Sequence, residues 1–298
     1  MIAVLLAGGI ALVASIIGTS LATRYFATHG RSQPILALNE DNLAVPPHSH
    51  KAGTPTMGGL AIIGAALLGY LISHIRRGVV FSDQTLIVIG GVLVMAGIGL
   101  IDDLIKVRTG HNRGVLWKRK GWITLALSFG IAAALVLTTE IDTRLSLTRG
   151  DMPGWELGKV GWVVWAGILI FSTTNAVNVT DGLDGLAAGS AMLGFLAFAG
   201  IAYLGFRNPD IYGTIVNPYD LTVFAAAFAG ACAGFLWWNA APASIFMGDV
   251  GALAIGAALS LLALTTNTQL LLVLICGLNV LEICSVALQM IVFRATGR

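Results

Sequence analysis

Nine runs of mostly apolar residues, joined by short polar connections, constrain this chain more than any other feature: roughly 2–22, 57–75, 85–105, 122–138, 160–175, 183–204, 221–238, 249–266 and 269–293. A helix needs about 20 apolar residues to cross a bilayer. Its backbone must also satisfy its own hydrogen bonds there. The pattern predicts an all-α, polytopic bundle of about nine transmembrane helices, forming a single integral-membrane domain over 1–298. Only 11% of the residues are charged, against about 25% in soluble domains. The 37 glycines suit close helix contact in lipid. Gly277 and Asn279 inside the ninth run suggest a broken helix. A net charge of +2 gives no basis for a nucleic-acid partner. Cys232, Cys276 and Cys284 sit in apolar runs without metal-ligand spacing and read as small buried hydrophobes.

Orientation follows from the connections. Met1 to Leu21 carries no basic residue, and the first positive charge, Arg24, comes after the run. That favours an uncleaved first span with its N-terminus outside. Eleven of the 17 Lys and Arg residues then fall on the inner side, most of them in 102–121, as the positive-inside rule requires. The acids sort as well. Asp102, Asp103, Asp181, Asp184 and Asp249 cluster at inner helix ends, whereas Asp83, Asp210, Asp220 and the other outer acids are scattered. Only Glu282 lies within a span, where a structural hydrogen bond to a neighbouring helix is its leading reading.

Five polar stretches stand out at the inner side. His48 to Gly59 is a Pro- and Gly-containing turn; His48-x-His50 reads as solvated, and Lys51 as a phosphate or carboxylate partner. Asp102-Asp103 would oppose the macrodipole of a helix ending there, and adjacent helical residues point about 100° apart, so the two acids should differ in role. Between Lys106 and Lys120 the basic residues serve topology and attraction to anionic lipid, with room for one lysine to face a substrate. Asn175, Asn178, Asp181 and Asp184 recur every three residues, on one face if helical. Near Phe246, Asp249 precedes an apolar helix and is a candidate N-cap, a place that also favours phosphate.

These stretches carry a resemblance. Lys51-Ala-Gly-Thr-Pro-Thr-Met-Gly-Gly59, Ile101-Asp-Asp-Leu104, Asn175-Ala-Val-Asn-Val-Thr-Asp-Gly-Leu-Asp-Gly-Leu-Ala187 and Phe246-Met-Gly-Asp-Val-Gly251 occur in the order found in the polyprenyl-phosphate hexose-1-phosphate transferases. The chain resembles that family (glycosyltransferase family 4) along essentially its whole length, and its muramoyl-pentapeptide branch most. The resemblance implies transfer of phospho-N-acetylmuramoyl-pentapeptide from UDP-N-acetylmuramoyl-pentapeptide to undecaprenyl phosphate. Lipid I and UMP would form on the cytoplasmic face of the bacterial inner membrane, in peptidoglycan synthesis, with magnesium. It further implies Asp249 as magnesium ligand with Asn178, and Asp102 and Asp103 as the paired acids, Asp102 orienting or deprotonating the lipid phosphate. Phe246 would stack on uracil. Asp184 and Asn239 would contact the nucleoside, and Asn175, Asn178 and Asp181 the rest of the substrate. Lys51 and Lys118 would be the cationic partners. Membrane lipid and a homodimer complete the expected partners. The family continues into a three-histidine loop and a tenth helix; this chain stops at Arg298, its last histidine is His111, and it is therefore expected to be C-terminally short. The alternatives are an N-acetylglucosamine-1-phosphate transferase and, from another class, a membrane transporter.

Overall fold

The computed structural model describes residues 1–28, 53–75, 80–109, 115, 117–149, 151–213 and 215–296. Its helices are α1 (Ile2–Thr28), α2 (Gly59–His74), α3 (Asp83–Thr109), α4 (Trp117–Thr138), α5 (Gly158–Thr180), α6 (Leu186–Arg207), the short α7 (Pro209–Tyr212), α8 (Pro218–Asn239), α9 (Gly248–Thr265), the short α10 (Leu272–Ile275) and α11 (Gly277–Thr296). Eight of these are long and apolar enough to cross a membrane; α2, with 16 residues, is the shorter ninth. The chain is an integral membrane protein built as a helical bundle.

α9 is the axis of the bundle. Every residue from Asp249 to Thr265 is buried, and α2, α3, α5 and α6 pack around it. Such closeness needs small residues where backbones meet. A Cβ on Gly99 of α3 would lie 2.3 Å from the Asp249 carbonyl oxygen, and one on Gly59 of α2 would lie 2.2 Å from Gly251 Cα. These glycines draw the start of α2 and the C-terminal part of α3 onto the first turn of α9.

Several boundaries differ from the sequence pattern. α3 runs past the acid pair to Thr109 and ends with Lys106 and Arg108 in its last turn. The acids therefore do not oppose a helix terminus, and the basic residues that follow complement it. α5 also continues past its apolar run, to Thr180. Asn175 Nδ2 donates to Phe171 O at 2.7 Å, and Thr180 Oγ1 donates to Ala176 O at 2.9 Å. Polar side chains that bond back to their own helix let it persist, so Asn175 and Asn178 stand on helix rather than in a loop. The ninth run is broken, as Gly277 and Asn279 suggested: α10 ends at Ile275 and α11 starts at Gly277.

The all-α pattern carries one addition. Strands β1 (Arg144–Arg149) and β2 (Met152–Glu156) form an antiparallel hairpin between α4 and α5, with Leu145 opposite Trp155. It docks on the buried polar segment after α9: Leu270 N–H donates to Ser146 O at 3.0 Å, and Ser146 N–H to Gln269 Oε1 at 3.2 Å.

Asp220 also departs from expectation, because it is buried rather than one of a scattered set. It joins the ends of three helices remote from α9's first turn. Tyr70 Oη donates to it at 2.9 Å and Ser82 N–H at 2.8 Å, and His74 Nε2 lies 3.0 Å away. Phe81 stacks on the His74 ring.

Candidate active site

The inner acids meet at one end of the bundle. α3 supplies Asp102, Asp103 and Lys106, the start of α4 supplies Lys120, the last turns of α5 supply Asn178, and the first turn of α9 supplies Asp249. Asp102, Asp103 and Asp249 are all buried, and each offers an oxygen within 4.8 Å of the others. Three buried carboxylates repel one another unless cations sit among them. Lys106 Nζ does so, 2.7 Å from Asp102 Oδ2 and 2.8 Å from Asp249 Oδ2. Lys120 Nζ spans the same pair, at 3.3 Å from Asp102 Oδ2 and in direct contact with Asp249 Oδ2. Asn178 Nδ2 donates to the other Asp249 oxygen at 3.1 Å.

The adjacent acids play different parts, as their helical angle requires. Asp102 faces the lysines and accepts from Val115 N–H at 2.7 Å. Asp103 turns to α9 and accepts from Val250 N–H at 3.1 Å. That bond satisfies a donor of α9's open first turn, in place of a side-chain cap. The N-cap residue is Met247, without a capping hydrogen bond, and Asp249 is the second residue of the helix. The N-cap reading of Asp249 is thus corrected: its carboxylate is turned to the cluster and capping falls to Asp103. Gly248, at φ +75, makes the turn that presents it; a Cβ there would lie 2.6 Å from Asp103 Oδ2.

A second wall is made of loops. Asn239 is buried and uses both ends of its amide: Gly185 N–H donates to its Oδ1 at 3.1 Å, and its Nδ2 donates to Ile245 O at 2.9 Å. Asp184 accepts from Ala243 N–H at 3.2 Å. Phe246, half-buried, is held through its backbone, with its N–H on Pro55 O at 2.8 Å and its carbonyl on Gly58 N–H at 2.9 Å. The segment that follows Lys51 is thereby bound to this wall. Lys51 itself lies outside the described residues, as do His48 and His50. The carboxyl of Asp181 is enclosed, although the residue as a whole is part exposed. Burial, with Asp249 and Asp103 adding repulsion, pushes it well above the usual carboxylate range.

Between α4 and α5 a groove of about 700 Å³ runs from this cluster toward the flank of the bundle. Lys118, Lys120, Asn175 and Asn178 line its polar end, and Trp122, Leu125, Phe171 and Val179 its apolar part. Lys118 is thus at the groove, while the cations among the acids are Lys106 and Lys120. Sequence reasoning singled out neither. The spacing held a signal for Lys106, because Asp102 and Lys106 stand at i and i+4, on one helix face.

With this geometry in hand, the chain can be set beside known proteins. The description Glycosyl transferase family 4 matches residues 85–267, and Phospho-N-acetylmuramoyl-pentapeptide-transferase signature 1 matches residues 51–63. Curated relatives named phospho-N-acetylmuramoyl-pentapeptide-transferase include one from Frankia alni, 41% identical over 98% of this chain and 84% of its own length. Others are from Mycobacterium leprae, 41% identical over 99% of this chain and 85% of its own length, and from Mycobacterium tuberculosis, 39% identical over the same shares. The matched segments hold all three clustered acids, both bridging lysines and Asn178, and on that ground the chain belongs to the phospho-N-acetylmuramoyl-pentapeptide-transferase family, within glycosyl transferase family 4.

Proposed function

We propose that the chain transfers phospho-N-acetylmuramoyl-pentapeptide from its UDP-linked donor to undecaprenyl phosphate, giving lipid I and UMP at the cytoplasmic face of the bacterial inner membrane. The observation that carries this reading is the meeting of three carboxylates, two lysines and an amide beside an apolar groove. A polyprenyl chain belongs in such a groove, and its phosphate would lie at the polar end by Lys118 and Lys120. An oxygen of the lipid phosphate bonds to the sugar-linked phosphorus, the bond from that phosphorus to the UMP oxygen breaks, and UMP leaves with the electron pair. Such transfers depend on alignment and charge neutralisation more than on a strong base.

The same reading assigns the roles. Asp102, facing the lysines, orients the lipid phosphate and takes its proton when it arrives singly protonated. Lys106 and Lys120, with Lys118 at the groove, hold phosphate oxygens, and Lys51 is assigned the same task from the sequence. Phe246 stacks on uracil, and Asp184 and Asn239 shape the nucleoside side, with Asn175 and Asp181 toward the rest of the donor. The acids also fit magnesium, which takes oxygen ligands and commonly one or two carboxylates beside phosphate. Asp249 and Asn178 would hold it, with Asp103 alongside; there it would neutralise charge on the diphosphate. The partners of this reading are the two substrates, membrane lipid and a second copy of the chain.

The test is lipid I formation from radiolabelled donor with magnesium. Asp249→Asn should abolish turnover while its melting temperature stays within a few degrees of wild type. Near-normal turnover in that variant would refute the assignment. Supplying UDP-N-acetylglucosamine to the same preparation decides between the two sugar branches.

A further inference from the structure

α11 is packed in reverse. The one residue it buries is polar, Asn279, while Leu278, Leu281, Leu288 and Phe293 are exposed on its surface. Asn279 Nδ2 donates to Thr180 Oγ1 at 3.0 Å, and that hydroxyl donates onward to Ala176 O at 2.9 Å. Thr180 is buried and closes α5. It sits between Asn178, which donates to Asp249, and Asp181. Among the described residues Glu282, for which a helix-to-helix hydrogen bond was expected, has no such partner, so Asn279 makes the polar tie of α11 to α5.

We propose that Asn279 is a positioning residue, which fixes the last turn of α5 through Thr180 and so holds Asn178 on Asp249. A hydroxyl has one proton and rotates freely. Here Asn279 fills a lone pair of Thr180 Oγ1, which leaves the proton committed to Ala176 O. Both residues are buried, Thr180 1% and Asn279 2% exposed, and a buried polar group keeps the partner it has, so the chain of bonds keeps one direction. Beyond Thr180 come Gly182 and Gly185, which hold no conformation of their own, and the turn takes its geometry from what lies before it. This inference rests on the proposed transfer; a purely anchoring role would require only that α11 stays packed.

The test uses the full chain in detergent. Asn279→Ala and Thr180→Val should each lower turnover about tenfold at saturating substrate, with KM for the UDP-linked donor within about twofold, as expected when catalytic geometry rather than binding is lost. Thr180→Ser, which keeps the hydroxyl, should retain more than about half of the turnover. Hydrogen exchange of 176–184 should rise in Asn279→Ala, with exchange of 249–253 unchanged. The decisive variant is Asn279→Leu with Thr180→Val, an apolar pair replacing a polar one. It should recover the wild-type melting temperature and still turn over slowly. Recovery of turnover together with stability would overturn the inference, as would full turnover in Thr180→Val. A wild-type chain that makes no lipid-linked product would sink the transfer itself, and the exchange measurement would still decide whether Asn279 orders 176–184.

Discussion

Replacing Gly99 by alanine tests whether the contact of α3 with α9 builds the acid cluster. The added Cβ would lie 2.3 Å from the Asp249 carbonyl oxygen, 2.4 Å from its carbon and 2.5 Å from Val250 N. All three are backbone atoms and cannot rotate aside. A carbon–oxygen contact is comfortable at about 3.3–3.6 Å, so α3 must retreat by about 1 Å. That retreat breaks the 3.1 Å bond from Val250 N–H to Asp103 and stretches both lysine bridges. Overpacking costs about 1–3 kcal/mol. Losing a hydrogen bond to a buried carboxylate costs about 1.5–3 kcal/mol. Relaxation shares these terms, so a loss of about 3 kcal/mol in stability is expected. A misplacement of about 1 Å in a catalytic constellation lowers turnover about 100-fold. Gly90 and Gly97 lie in the same helix with nothing within 4 Å of an added Cβ, and their alanine variants should match wild type in turnover. Lipid I formation per folded molecule and melting temperature in detergent are the readouts. Turnover in Gly99→Ala within about threefold of wild type would refute the argument, as would an equal loss in Gly97→Ala.

Two further outcomes concern the end remote from the cluster. Asp220→Ala strands the Tyr70 hydroxyl, the Ser82 N–H and the His74 ring; a loss of about 3–5 kcal/mol in stability is expected, with turnover per folded molecule unchanged, read from denaturant melts and product formation in parallel. Asp83→Asn, at an exposed side chain in the first turn of α3, should shift stability by no more than about 0.5 kcal/mol; a strong loss of activity there would mean that the inner and outer ends have been exchanged.

The bundle was legible because lipid leaves the backbone few options. Long apolar runs had to be helices, and the runs mark nearly all of them. Boundaries were less legible, because apolarity is a poor guide where polar side chains bond to their own helix, as Asn175 and Thr180 do. The hairpin was hidden because its ladder is short and its docking partner, Gln269, lies more than a hundred residues away. Spacing and residue type singled out Asp102, Asp103, Asp249 and Asn178, which the fold brings together. Lys106 and Lys120 were hidden among six basic residues that topology alone explains. Asp220 looked scattered because its partners arrive from α2 and from the start of α3. Pairings between distant segments are what a one-dimensional pattern cannot carry.

The charges of the cluster make one last outcome follow. Asp102, Asp103 and Asp249 with Lys106 and Lys120 leave one formal negative charge in a buried site, where charge is weakly screened. A site of that sign repels a diphosphate. A bound divalent cation reverses the sign, and it lets the lysines turn from carboxylates to phosphate oxygens. Magnesium and the UDP-linked donor should therefore bind with positive coupling, each raising the other's affinity by the same factor. Couplings of this kind amount to about 1–3 kcal/mol, or roughly 5- to 150-fold. Titrating the donor by calorimetry at zero and saturating magnesium measures the factor, and titrating magnesium with and without donor must return the same value. Asp249→Asn removes one negative charge and, on the proposed reading, one metal ligand. It should bind the donor better than wild type without magnesium and gain little when magnesium is added. Equal donor affinity in wild type with and without the ion would show that the lysines alone balance the acids, and that the carboxylates serve the fold rather than the transfer.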